Sequence, residues 1–238
     1  MFSIRHLRGV RISNVFLLDG GPGDRFLVDT GHWTERAALV LELRRAGVWP
    51  SELTGVLLTH RHSDHAGNAR WLREKFGVKV FAHRADAEIL DGTAPVPPMS
   101  RGEGSLAAGI LAEFENRWPA RVPVDRALDD GDTVSSLEVH WVPGHTEGSV
   151  FYRHGETRSL LSGDTLLTAL PPLVYRAGLA LPYATFTRDM EQARTSIRNF
   201  HARGVDYDRL LPGHGKPLMK DARRIFGEFL HTRGILDT

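Results

Sequence analysis

The segment His60-Arg61-His62-Ser63-Asp64-His65 constrains this chain more than any other, because it packs three imidazoles and a carboxylate into six residues directly after the apolar run Thr54–Thr59. That run, rich in β-branched and aliphatic side chains, predicts a strand, and the ends of strands are where α/β folds build their sites. Past such an end, residues two apart face the same way. His60 and His62 can therefore converge on one ion while Asp64 and His65 approach from another side, so one string can feed two metals. The chain contains no cysteine, which excludes disulfides, thiolate ligands, iron–sulfur clusters and cysteine nucleophiles. Nitrogen and oxygen must hold any metal.

Three later segments share one form, a short apolar strand that delivers a potential ligand through a glycine turn: Val142-Pro143-Gly144-His145, Leu161-Ser162-Gly163-Asp164 and Leu211-Pro212-Gly213-His214. Glycine beside a ligand permits a tight turn and clears space for an ion or substrate. The rest of the chain supplies a scaffold for them. Arg11–Leu18 and Arg25–Asp29 predict a hairpin across a cluster of turn formers. Helices are predicted at Glu35–Ala46, Asn68–Phe76, Leu106–Trp118, Arg188–Ala202 and Asp221–Thr232, several of them closed by a following glycine. Further strands are predicted at Val78–Ala82, Leu137–Val142, Val150–Arg153, Ser159–Leu161 and Arg209–Leu211. This alternation points to an α/β layer architecture. The 238 residues show no internal repeat and no linker composition, so a single domain over 1–238 is expected. Gly92–Val122 and Leu166–Thr187 read as irregular, pocket-forming insertions.

Lys and Arg number 30 against 29 Asp and Glu, a formal net charge of +1, which argues against a dedicated nucleic-acid or membrane-surface protein. The longest apolar runs are strand-sized, and the N-terminus lacks a secretory pattern. The expectation is a soluble cytoplasmic protein with a small-molecule substrate and room for a homodimer contact.

Taken together, these motifs make the chain resemble the metallo-β-lactamase fold superfamily, on the branch of glyoxalase II and related hydrolases, over most of its length. The strand-turn Leu27-Val28-Asp29-Thr30-Gly31 matches a further signature of that family. The resemblance implies a four-layer αββα sandwich with the metal site along one edge between the sheets. It implies that His60, His62 and His145 bind one divalent ion and that Asp64, His65 and His214 bind a second. Asp164 bridges the two, and Asp29 orients a ligand from beneath. Zinc is the first expectation, with manganese or iron as alternatives, and Asp64 and Asp164 are the acidic residues of the catalytic set. Such a site would hold a bridging hydroxide as nucleophile.

Departures from family patterns narrow the activity. The major class of zinc β-lactamases places a cysteine where Asp164 stands, which argues against antibiotic hydrolysis as a primary function. Glyoxalase II carries a helical C-terminal extension, whereas 24 residues follow His214 here, which argues against glutathione thioester specificity. Acyl-homoserine lactonases carry a tyrosine three residues after the bridging aspartate; that position is Leu167, with Tyr175 or Tyr183 as substitutes from the insertion. The expected activity is dinuclear hydrolysis of a small ester, thioester or lactone. The alternatives are an iron-dependent enzyme resembling persulfide dioxygenases, with His60, His145 and Asp164 around one ion, and a non-catalytic module that keeps metal for stability. Leu106, Ile110, Leu111, Phe114, Leu173, Val174, Leu179 and Leu181 are candidates either to line an acyl cleft or to pack the insertions. Arg101, Arg176 and Lys216 are candidates for an anionic substrate group. His83 could approach the pocket but reads more readily as structural, and His6, His32, His140, His154, His201 and His231 read as ordinary residues.

Overall fold

The computed structural model describes residues 2–99, 106–170 and 174–236, with the side chains of 174–177 outside the description. Its first half builds a six-stranded sheet in chain order from β1 (Ser3–His6), β2 (Phe16–Asp19), β3 (Arg25–Val28), β4 (Gly55–Leu57), β5 (Lys79–His83) and β6 (Arg126–Leu128). The β1–β2 and β2–β3 pairs are antiparallel, and β3 to β6 run parallel. Parallel neighbours need crossovers. Here they contain α1 (Arg36–Arg45), the short turn α2 (Ser63–Ala66), α3 (Ala69–Phe76), α4 (Arg84–Asp91) and α5 (Leu106–Arg117).

The second half adds β7 (Thr133–Val134), β8 (Leu137–Trp141), β9 (Val150–His154) and β10 (Ser159–Gly163), then a hairpin of β11 (Leu167–Leu170) and β12 (Val174–Ala180). Helix α6 (Met190–Ala202), β13 (Arg209–Pro212) and α7 (Ala222–Thr232) complete it. The second sheet has the order β13-β10-β9-β8-β7, with β13 parallel to β10 and the other pairs antiparallel.

The period-two alternation of strand side chains resolves these elements into four layers. In the first sheet Leu17, Leu27, Val56 and Val80 pack outward against Leu39 and Leu43 of α1 and Leu72 of α3. Their chain neighbours Phe16, Leu18, Phe26, Val28, Leu57 and Phe81 turn inward. There they meet Val139 of β8, Val150 and Tyr152 of β9, Leu161 of β10 and Leu211 of β13. The outer face of the second sheet, through Phe151, Leu160 and Leu210, packs on Ile197 and Phe200 of α6 and on Phe226 and Leu230 of α7. Strands buried on both faces read as continuous apolar runs, and the order of layers is αββα. Among the described residues, no helix is long and apolar enough to cross a membrane.

Several elements differ from the sequence expectation. Residues 167–180, expected to be irregular, contain the β11–β12 hairpin; its strands flank Pro171 and Pro172, which suggested a loop and which lie outside the described residues. The short elements β1, β6, β7 and α2 carry too few residues for a periodic signal, and α4 begins at the His83 cap rather than at a recognisable start residue. The hairpin expected from Arg11 forms only from Phe16 onward, because Ser13 and Asn14 spend their side chains on the backbone carbonyls of Asp64, Pro212 and Gly215.

Candidate metal centre

Every chemically distinctive residue of the sequence lies just past the C-terminal end of a strand, and all of them meet at one edge of the sandwich. His60 and His62 follow β4, His145 follows β8, Asp164 follows β10 and His214 follows β13. His62 is extended, with φ −62° and ψ 150°, and the chain then enters the helical turn α2. The alternation expected from the string therefore stops at His62, and the helical turn carries Asp64 and His65 to the other side.

Two donor groups result. One ligand atom each from His60, His62 and His145 lie within 4.8 Å of one another, as do those of Asp64, His65, Asp164 and His214. The rings of His60, His62 and His145 stand 4.7 Å apart at steep angles, so their edges rather than their faces converge. Asp164 lies between the groups, with one oxygen 3.2 Å from His65 Nε2 and the other 3.2 Å from His214 Nε2 and 3.9 Å from His145 Nε2. Asp64 is 3.1 Å from His214 Nε2. Gly213 leaves room for this convergence, since a Cβ there would come within 2.1 Å of Asp164 Oδ1.

Hydrogen bonds set the tautomers. His65 Nδ1 is 2.8 Å from Asp29 Oδ2, so it donates and leaves the Nε2 lone pair toward the cluster. The Thr59 hydroxyl donates to the same Asp29 oxygen and must therefore accept from His60 Nδ1, 3.0 Å away. Thr187 likewise donates to the Tyr183 carbonyl and accepts from His145 Nδ1 at 3.2 Å. In all three rings Nδ1 is the donor to a protein oxygen, which leaves Nε2 as the nitrogen directed to the cluster, the arrangement that second partners of metal-bound histidines impose. His60 Nε2, His65 Nε2, His145 Nε2 and Asp164 Oδ1 are buried without hydrogen bonds. Buried polar atoms rarely go unpaired, and these four, divided between the two groups, belong to donor sets suited to divalent cations.

Electrostatics distinguish the groups. Burial, reinforced by neighbouring imidazoles, pushes His60 and His62 well below the usual histidine value, and burial brings His145 down to about 4. Burial opposes charge at His214 and His65 too, but the carboxylates beside them lift His214 to about 9 and His65 well above its ordinary value. The same imidazoles hold Asp164 well below the carboxylate range despite its burial. One side offers neutral nitrogens; the other offers carboxylates balanced by imidazolium in the absence of metal.

The centre opens into a cleft of about 560 Å³. Ile12, Met99, Leu111, Phe114, Leu167, Pro182, Tyr183 and Phe186 give it apolar walls, so both insertions contribute, and Arg11, His32 and Glu115 add polar groups. Leu111 and Phe114 match the expectation for the cleft, whereas Leu106 and Ile110 face solvent and Leu179 and Leu181 pack in the layer beneath α6 and α7. Arg101 and Leu173, and the side chains of Val174, Tyr175 and Arg176, lie outside the described residues. Lys216 lines a different groove, with Arg8 and His6. His83 is structural, capping α4 and stacking on Trp141 at 5.1 Å. Sequence reasoning missed Arg11, His32, Glu115 and Asp86, which have no ligand-like neighbours in the chain to mark them.

A layered fold with two donor clusters at its edge defines a class, the metallo-hydrolases. This chain belongs to the metallo-beta-lactamase superfamily, whose sequence profile matches residues 8–214. A probable metallo-hydrolase of Bacillus subtilis, YflN, is 30% identical over 224 residues, covering 88% of this chain and 83% of that protein. A hydroxyacylglutathione hydrolase of Pseudomonas aeruginosa is 33% identical over 122 residues, 49% of this chain and 34% of that enzyme. Among solved structures, a metallo-beta-lactamase family protein of Thermus thermophilus superposes with a TM-score of 0.66 at 26% identity, covering 98% of this chain and 79% of that one.

Proposed function

We propose that the chain is a dinuclear metallohydrolase of a small ester, thioester or lactone, with zinc as the first candidate metal. The observation that carries this is the pair of donor groups with Asp164 between them, open to an apolar cleft. His60, His62 and His145 would hold one ion, Asp64, His65 and His214 the other, and Asp164 both. Bound there, divalent ions supply a hydroxide nucleophile near neutral pH and polarise a scissile carbonyl. The chain's own residues do the rest. Asp29 and Thr59 hold the rings of His65 and His60 in orientation, the apolar walls take up an acyl group and exclude water, and Arg11 at the mouth offers a cation to an anionic end of the substrate. Similarity to a hydrolase of hydroxyacylglutathione supports acyl chemistry. As a separate part of the proposal, the chain acts as a single domain on a soluble small molecule, without nucleic acid or membrane.

Metal analysis of protein purified without chelator or added metal, followed by assays on thioesters and lactones, tests the assignment. Two zinc or manganese ions per chain with ester-type turnover are expected. One iron per chain with oxygen uptake on glutathione persulfide would replace the hydrolase with a dioxygenase.

A further inference from the structure

Beyond the end of β4 the ligand string has no neighbouring strand, yet its backbone amides are not left unpaired. At alternate positions they donate to carboxylates from three different elements: Thr59 to Asp29 after β3 at 2.8 Å, Arg61 to Asp86 in the first turn of α4 at 2.8 Å, and Ser63 to Glu115 on α5 at 3.1 Å. The chain bends at residues 59 and 60, and Asp29 and Asp86 follow β3 and β5, the strands on either side of β4, so carboxylates from both sides cap the amides of the string.

Asp86 joins the string to the turn that follows β8. Its side chain is fully buried, and besides the Arg61 amide it accepts 2.8 Å bonds from the Thr146 hydroxyl and the Gly148 amide. Thr146 is the next residue after His145. One carboxylate thus ties the segment that carries His60 and His62 to the turn that carries the third histidine. The packing is close: a Cβ on Gly148 would fall 2.6 Å from Asp86. Arg61, 3.8 Å away, supplies a counter-charge and reaches on to Glu147 at 3.3 Å.

We propose that Asp86 is a positioning residue of the metal centre, fixing the spacing between the His60–His62 string and His145 and thereby the affinity of the three-histidine group for its ion. This rests on the assignment of that group as a metal site. Both Asp86 oxygens are used, Oδ2 by Arg61 and Thr146 and Oδ1 by Gly148. Asparagine has the same shape but one acceptor oxygen, so Asp86→Asn must strip an acceptor from one of the two segments it joins. Asp125→Asn is the control, because Asp125 lines no part of the cleft and its amide oxygen can still accept from the Val80 amide of β5.

The test is a zinc titration against a chromophoric chelator, with far-UV circular dichroism to verify folding, on the full chain and on Asp86→Asn, Thr146→Val and Asp125→Asn. Wild type is expected to bind two ions. Asp86→Asn should weaken one of them by about 10–100-fold, the usual scale for a residue that orients a ligand, and leave the other within about twofold. Thr146→Val should weaken the same ion less, and Asp125→Asn neither. Equal weakening of both ions, or none in a folded Asp86→Asn, would overturn the positioning role. If Asp86→Asn does not fold, Thr146→Val decides, and unchanged affinities there would overturn it. A wild-type chain that binds no ion would overturn the metal assignment itself, and the positioning role with it.

Discussion

At the residue scale the centre depends on which atoms are left without partners. Asp164 has an oxygen toward each donor group, so Asp164→Ala removes a donor from both and is expected to cut kcat/KM by more than about 100-fold while the fold survives. Single-turnover assays with a Tm measurement check this, and His62→Ala should behave alike. His154 is just as buried but stacks on Phe2 and bonds Thr157, so His154→Ala should cost stability and leave turnover per folded molecule intact. Asp29→Asn is subtler. Its amide can still accept from Thr59 but can no longer take both the Thr59 and His65 bonds as a carboxylate does, so ion affinity should fall by about 10–100-fold in a chelator competition. The residues of the two donor groups were legible in the sequence because four local motifs concentrate histidine and aspartate just past apolar strands. Asp86 and Glu115 were not, since a lone carboxylate on a helix looks the same whether it meets solvent or a buried amide. Only the fold brings residue 86 to residues 61 and 146.

At the scale of elements, legibility followed length and punctuation. Helix α3 was plain because eight residues end at Gly77 in the left-handed conformation, where glycine is unstrained. Helix α4 also has eight residues and a left-handed glycine, Gly92, at its end, but its N-cap is the His83 ring, an unusual choice that gives no cue to where the helix begins. Helix α5 does the most for function, since its turn through Leu111, Phe114 and Glu115 forms one wall of the cleft. Phe114→Ala should therefore raise KM several-fold for substrates with longer acyl groups and leave kcat nearly unchanged, as expected when uniform binding is lost. A chain-length series in steady-state assays decides this, and a fall confined to kcat would remove α5 from the substrate site. On the opposite face Phe226 of α7 is fully buried against the second sheet. Phe226→Ala should cost about 3–5 kcal/mol of stability, read as a lowered denaturant midpoint.

At the scale of the whole molecule, the sandwich concentrates its unusual ionisation at one edge, and this makes stability a function of pH and metal together. In the metal-free chain His145 has its value lowered to about 4, and burial and neighbouring imidazoles hold His60 and His62 well below the ordinary value as well. Between there and the ordinary value near 6.5 the unfolded chain binds more protons than the folded one, so stability falls as pH drops through that window. His214 has the opposite sign. With its value raised to about 9, its contribution is complete below about 6.5 and is lost as pH rises toward and through 9. Metal-free protein should thus be most stable between these limbs and lose Tm on both sides. Saturating zinc binds the folded state and adds about 2.7 kcal/mol at 100 times Kd. It should also steepen the acid limb, because protons compete with the ion for the imidazole nitrogens. Calorimetric scans at pH 5, 7 and 9, with zinc and with chelator, measure both effects. Asp86 and Glu115, raised by burial to about 6 and about 7, act with the opposite sign in that window, so equal Tm values at pH 5 and 7 in the chelated protein would show that the lowered histidines do not dominate the acid limb.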